Sequence, residues 1–96
     1  MPTPTADLTL ASAPRPSQGV IAQNTQEELV LVLPQEGKVK VLNPVGAFVW
    51  KHIDGKRTLQ SIADMLCREY EVSPSQAAQD VLDFAASLLE RGLIAV

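Results

Sequence analysis

The chain of 96 residues is 46% hydrophobic and has a formal net charge of −3, which fits one soluble globular domain rather than a disordered chain. Its eight Lys and Arg residues are scattered, and no apolar run approaches the roughly 18–20 residues of a membrane span. Since phosphate binding needs a concentrated basic surface, we expect neither nucleic acid nor a membrane as a partner.

The N-terminus and the cysteine content predict a cytoplasmic location. Residues 1–12 lack both a basic opening and a continuous apolar block, so they do not resemble a signal peptide. A single cysteine, Cys67, cannot form an internal disulfide.

Four of the seven prolines lie in residues 1–16, among Thr, Ser and Ala. Proline removes backbone donors, and this segment has little large apolar surface to offset the entropy cost of ordering. The composition therefore predicts a disordered tail over residues 1–16 and a folded domain over residues 17–96.

Three strands are predicted next, over residues 19–23, 28–33 and 38–42. The second is apolar on both faces, which indicates an interior position in the sheet or cover on both sides. In the third, the alternation predicts Val39 and Val41 facing inward and Lys38 and Lys40 facing outward. Two lysines on one face of a short strand also protect a sheet edge from unwanted pairing.

Three helices follow, and each has recognisable ends. The predicted starts are the caps Asn43, Thr58 and Ser73, with Gln76 completing a capping box, and the predicted stops include Gly55 and Gly92. Residues 93–96 read as a short extended segment that pairs with the sheet. The pattern predicts an α+β, winged-helix-like domain in which a three-stranded antiparallel sheet is followed by three helices.

The residues do not favour catalysis, a cofactor or a metal site. His52 is the only histidine and falls at the end of the first helix, where histidine commonly complements the helix dipole. Cys67 lies next to the apolar face of the second helix and reads as a half-buried structural thiol. A metal site needs three or four clustered ligands, and the sequence suggests no such cluster.

DNA binding is the first alternative, because the second and third helices have the outline of a helix-turn-helix. A recognition helix, however, presents basic and amide side chains to bases and phosphates. The third helix offers mainly acidic and amide groups: Gln76, Gln79, Asp80, Asp83, Glu90 and Arg91. A winged-helix DNA-binding or general protein-interaction module therefore ranks second.

Peptide binding is the preferred interpretation. If the third strand is an edge, its backbone can pair with an extended peptide while a neighbouring helix supplies pockets. The third helix carries a second apolar line, formed by Val81, Phe84 and Leu88, and we expect Phe84 to be partly exposed in a groove. Lys38 and Lys40 would then meet acidic side chains of the peptide.

Four segments resemble the PqqD family: Val41–Trp50, Ile53–Thr58, Val81–Phe84 and Leu88–Ile94. They contain the family's Leu-Asn-x-x-Gly/Ala turn into the first helix, its Asp-Gly-x-x-Thr turn into the second, and the Arg-Gly-Leu sequence that ends the third. The resemblance spans about residues 17–96, and the order and spacing of the pieces make it specific.

The resemblance implies a RiPP recognition element, a domain that binds the leader of a ribosomally made precursor peptide and presents it to a modifying enzyme. In the pyrroloquinoline quinone pathway the peptide is PqqA and the enzyme is the radical-SAM protein PqqE. The leader is implied to add as a strand beside the third strand, against the third helix. Because edge strands can also pair between copies, the protein is expected to be a monomer or a weak or swapped homodimer. The implied peptide-binding residues are Lys38, Val39, Lys40, Val41, Leu42, Asp80, Val81, Phe84 and Leu88.

Overall fold

The computed structural model describes residues 8–25 and 28–96. In chain order the elements are β1 (Arg15–Pro16), β2 (Ile21–Asn24), β3 (Leu29–Leu33), a 3₁₀ turn (Pro34–Glu36), β4 (Lys38–Leu42), α1 (Pro44–His52), α2 (Leu59–Tyr70), α3 (Pro74–Glu90) and β5 (Ile94–Ala95). The predicted α+β class, with a three-stranded antiparallel sheet followed by three helices, is confirmed.

The main sheet has the order β2-β3-β4, and both pairings are antiparallel. The central strand, β3, buries Leu29, Leu31 and Leu33 against the helices and turns Val30 and Val32 to the other face. Its predicted interior position is therefore confirmed. The first predicted strand begins later than expected, at Ile21, whereas β4 has the predicted bounds.

The predicted faces of β4 are wrong. Residues directly opposite in an antiparallel pair share a face, and Lys40 lies opposite the buried Leu31. Lys38, Lys40 and Leu42 therefore belong to the inner face, while Val39 and Val41 are 58% and 52% exposed on the outer face. Lysine is tolerated on the inner face because, at the sheet edge, its long stem lets the ammonium reach polar partners.

Helix starts follow the predicted capping chemistry. The side-chain oxygens of three cap residues accept a backbone hydrogen bond three residues on: Asn43 from Gly46 (2.8 Å), Thr58 from Ser61 (3.1 Å) and Ser73 from Gln76 (3.2 Å). The capping box at α3 is only half formed, because the side chain of Gln76 donates to Asp80 instead. These local bonds fix where each helix leaves the preceding loop.

One continuous core joins the inner face of the sheet to the three helices. Its buried side chains include Leu29, Leu31, Leu33, Leu42, Val49, Ile53, Leu59, Ile62, Leu66, Val81, Leu88, Leu93 and Ile94. The helices thus cover one face of the sheet and leave the aliphatic outer face, with Ile21, Val39 and Val41, open to solvent.

The predicted tail is wrong for residues 8–16, which pack on the domain. Leu8 and Pro14 are buried. Three backbone amides donate to carbonyls of this segment: Gly55 to Pro14, Leu59 to Ser12 and Gln60 to Leu10, each at 2.9 Å. The first amides of a helix lack acceptors within it, and here the segment supplies them for the first two residues of α2. The rest of the predicted tail, residues 1–7, lies outside the described residues.

The chain ends in a second, two-stranded sheet. After Gly92, whose φ of +73° suits a helix end, β5 pairs antiparallel with β1. Residues 93–96 were expected to pair with the main sheet. This expectation is wrong, because β5 pairs instead with β1 of the N-terminal segment. Together β1 and β5 tie the two ends of the described chain to each other.

Glu71 is the one non-glycine residue with positive φ among the described residues, at +54°. It ends α2, and its amide donates to the Cys67 carbonyl. Because the left-handed region strains side chains but not glycine, Glu71→Gly is expected to raise the free energy of unfolding by roughly 0.5–1 kcal/mol, measured by urea denaturation. Glu69→Gly, within the same helix end, is the control and is expected to lower it. Equal losses in both variants would contradict the strain argument.

Candidate functional site

The candidate site begins at the outer edge of β4. Within residues 8–25 and 28–96, β4 pairs with β3 alone, so one side of its backbone has no strand partner. An unpaired edge presents N–H and C=O groups that can extend the sheet. Which residues present them follows from the alternation of the antiparallel ladder.

The β2–β3 hairpin fixes that alternation. The Thr25 amide donates to the Glu28 carbonyl at 2.8 Å, so these two residues form a hydrogen-bonded pair. Hydrogen-bonded and non-hydrogen-bonded pairs alternate along an antiparallel ladder. Val30 and Val32 consequently direct their backbone groups toward β2, and the leucines of β3 direct theirs toward β4.

The same alternation continues across β4. Leu31 lies opposite Lys40, so Lys40 and its alternate neighbours Lys38 and Leu42 bond to β3. The backbone N–H and C=O groups of Val39 and Val41 therefore point to the free edge. These two residues carry the hydrogen-bonding groups that an added strand would use.

A cavity of about 330 Å³ lies near the end of this edge, between α1 and α3. One wall comes from the start of α1: Asn43, Val45, Gly46 and Val49. The other comes from α3: Asp80, Asp83 and Phe84. The walls combine aliphatic and aromatic carbon with the carboxylates of Asp80 and Asp83, which suits a side chain with both an apolar stem and a polar end.

Close approach of Phe84 to α1 depends on Gly46. A Cβ atom at position 46 would lie 3.0 Å from Cε1 of Phe84, tighter than nine in ten real Cβ contacts, so the ring would have to shift. Phe84 itself is half-buried and packs against the core cluster. The absence of a side chain at Gly46 thus allows the ring to form one wall of the cavity.

The predicted helix residues divide into two groups. Asp80 and Phe84 are half-buried and line the cavity, whereas Val81 and Leu88 are fully buried in the core. Val81 and Leu88 therefore support the groove wall from below without offering surface to a ligand. Their direct contact with a peptide, expected from the sequence, does not fit this geometry.

β4 and α3 run in opposite directions along the groove between them. At one end, Nζ of Lys38 donates to the Arg91 carbonyl at 3.3 Å. At the other end, Asn43 shares the cavity with Asp80 and Phe84. The predicted strand edge and the predicted helix face therefore run side by side, with the Lys38–Arg91 contact at one end and the cavity at the other.

Sequence reasoning missed the α1 wall of the cavity and Asp83. Asn43 and Gly46 were singled out only as parts of a helix-start motif. The signal that could have identified the wall is the pairing of a helical glycine with an aromatic residue on a neighbouring helix, since a missing Cβ often marks close packing.

Other polar groups have structural explanations. Nδ1 of His52 lies 2.8 Å from the Phe48 carbonyl in the last turn of α1, in agreement with a helix-end role. The backbone amides of Arg57 and Lys56 donate hydrogen bonds to the Asp54 carboxylate and shape the turn before α2. These bonds, together with the Arg57 charge, lower the pKa of Asp54. Cys67 is half-buried against the core.

In the part of the chain that the structure describes, no three His, Cys, Asp or Glu side chains are grouped to hold a metal ion. None of the described helices is both long and apolar enough to cross a bilayer.

Comparison with known proteins decides the family. The sequence profile described as coenzyme PQQ synthesis protein D (PqqD) matches residues 28–94. The chain belongs to the PqqD family. The resemblance inferred from the four sequence segments is thereby confirmed.

Relatives of this PqqD-family chain agree in sequence and in fold. The PqqA binding proteins of two Xanthomonas oryzae pv. oryzae strains are each 29% identical over 91 residues, covering 93% of this chain and 97% of theirs. TbiB1, solved in complex with the TbiA(beta) leader peptide, is 28% identical with a TM-score of 0.76, covering 83% of this chain and 93% of that chain.

A solution NMR structure supports the fold alone. It is the PqqD truncation of Methylobacterium extorquens PqqCD, described as a stand-alone RiPP recognition element, with a TM-score of 0.82 and 23% identity. The similarity covers 98% of this chain and 100% of that one. Because it includes nearly the whole described chain, it also agrees with the N-terminal segment being part of the fold.

Proposed function

We propose that this chain captures the leader of a ribosomally synthesised precursor peptide and presents it to a modifying enzyme. The observation that carries the proposal is the free edge of β4, where the backbone groups of Val39 and Val41 point outward beside the Phe84 cavity. An extended leader pairs with this edge, and one of its side chains enters the cavity. The relatives that bind PqqA or a leader peptide by their descriptions support this mode.

The proposed partners follow from the family. The peptide is PqqA-like, and the enzyme that receives it is a radical-SAM protein of PqqE type. The chain itself supplies binding rather than catalysis, without a metal or cofactor, and works in the cytoplasm as a monomer or a weak homodimer. Neither nucleic acid nor a membrane takes part.

The proposed site residues have distinct roles. The backbone of Lys38–Leu42 provides the edge, and the Phe84 ring and the Asp80 carboxylate contact the leader. Val81 and Leu88 hold the helix face in position from the core. Backbone pairing supplies affinity for any extended segment, while the cavity sets the register.

A Phe84→Ala variant tests the cavity. We expect it to bind PqqA of Xanthomonas oryzae roughly tenfold more weakly than the wild type by isothermal titration calorimetry, because truncating an aromatic anchor costs more than about 1 kcal/mol. The TbiA(beta) leader serves as a second probe.

Leu82→Ala is the matched control, because Leu82 is also half-buried on α3 but does not line the cavity. It is expected to retain the wild-type affinity. Unchanged affinity in a folded Phe84→Ala protein would show that the leader does not use this cavity.

A further inference from the structure

The groove between β4 and α3 carries opposite charges at its two ends. Lys38 and Lys40 lie on the inner face of β4, toward the end where Lys38 reaches Arg91. Asp80 and Asp83 lie at the cavity, next to Asn43. The four residue steps from Lys38 to Leu42, the last strand residue before the cavity, span about 14 Å in an extended backbone. Residues four apart on an added strand point to the same face.

The carboxylates at the cavity have no cationic partner among the described residues. Asp80 and Asp83 each accept a hydrogen bond from a neutral glutamine of the same helix, at 2.7 and 2.8 Å. The two ion pairs found in residues 8–25 and 28–96 involve other carboxylates. Carboxylate oxygens have several acceptor positions, so both groups retain capacity for a charged donor.

The lysine end is also available to a ligand. Nζ of Lys38 lies 3.8 Å from a carboxylate oxygen of Glu36, and the two side chains are 44% and 57% exposed. Exposed pairs of this kind contribute little and are readily exchanged. Lys40 makes no ion pair among the described residues.

We propose, resting on the proposed function, that the groove selects a leader segment with a basic side chain about four residues away from an acidic one, so that both face the groove. The basic side chain enters the cavity, where its stem packs on the Phe84 ring and its charged end meets Asp80 and Asp83. The acidic side chain meets Lys38 and Lys40 at the other end.

Strand direction sets the order of the two charges. Every pairing in the described sheets is antiparallel, and antiparallel pairing is slightly more stable per residue. A leader that runs antiparallel to β4 has its N-terminal end at the cavity. The basic residue therefore precedes the acidic one.

Two synthetic peptides with blocked ends and identical composition test this inference. The first carries Lys followed four residues later by Glu, so that both side chains face the groove, and the second has these two residues exchanged. By calorimetry at low salt, we expect the first to bind the wild type roughly fivefold more tightly than the second. The preference should shrink in 0.5 M salt, because screening weakens exposed charges.

A charge-exchanged protein provides the decisive comparison. The four substitutions Lys38→Glu, Lys40→Glu, Asp80→Lys and Asp83→Lys leave the formal net charge at −3, so nonspecific attraction is unchanged. This variant is expected to prefer the second peptide. If it does not fold, as judged by circular dichroism, the milder Asp80→Asn, Asp83→Asn double variant takes its place and is expected to lose the preference.

The outcomes separate this inference from the proposed function. If PqqA of Xanthomonas oryzae binds the wild type, then equal affinities for the two peptides, a preference for the second, or no binding of either overturns the charge order alone. If neither PqqA nor the TbiA(beta) leader binds a folded wild-type protein, the proposed function fails and the charge order fails with it.

Discussion

A Val41→Pro variant is expected to bind PqqA of Xanthomonas oryzae roughly tenfold more weakly or worse, because it loses an outward donor worth about 1 kcal/mol and places a ring at the edge. The Val41 amide points away from β3, so the internal ladder of the sheet stays intact. The free energy of unfolding should therefore change little, as proline is tolerated on the open side of an edge strand. Calorimetry and urea denaturation measure the two quantities.

Two neighbouring variants separate backbone from side-chain effects. Val41→Ala keeps the amide and is expected to bind close to the wild-type level. Lys40→Pro removes a donor that faces β3, so it is expected to destabilise the sheet itself. If Val41→Pro binds PqqA as tightly as the wild type does, the leader does not add at this edge.

Deletion of residues 1–16 is expected to lower the free energy of unfolding by roughly 3 kcal/mol or more. It removes the buried side chains of Leu8 and Pro14, the β1–β5 pairing, and the carbonyls that accept from Gly55, Leu59 and Gln60. The first turn of α2 would then expose amides that the segment now satisfies. Urea denaturation followed by the fluorescence of Trp50, the single tryptophan, measures the loss.

Deletion of residues 1–7 is the control for that experiment, because it removes none of the contacts described. It is expected to leave the unfolding midpoint near that of the wild type. A protein lacking residues 1–16 that unfolds at the wild-type midpoint would show that residues 8–16 contribute nothing to the fold.

Helix starts could be predicted because their chemistry is local. Asn43, Thr58 and Ser73 each bond to an amide three residues away, so a short window of sequence contains the whole interaction. The strand at Lys38–Leu42 could also be predicted, from its alternating pattern. Which of its side chains face the core could not be predicted, because the register with β3 decides which side of β4 meets the core.

The N-terminal segment could not be predicted from its own composition. Its carbonyls bond to amides more than 40 residues away in sequence, and its proline-rich pattern by itself resembles a disordered tail. Since the carbonyl of proline still accepts hydrogen bonds, the segment needs few donors of its own to dock. Nothing within residues 1–16 indicates that α2 offers those donors.

The candidate site was predicted in part. The edge of β4 and the ring of Phe84 followed from the sequence, because a short strand before a helix with a second apolar line points to a groove. The wall made by Asn43 and Gly46 depends on how closely α1 approaches α3, which is set by tertiary packing. The burial of Val81 and Leu88 has the same origin.

The orientation of Val39 and Val41 has a consequence for how leaders evolve. Both residues direct their backbone to the free edge and their side chains to the outer face of the sheet. Side chains of a leader strand paired there would alternate in the same way, half over the groove and half on the outer face. One set of alternate residues would then be constrained by capture, while the intervening set stays open to the receiving enzyme. Mutation could therefore alter capture and processing of the same short segment independently.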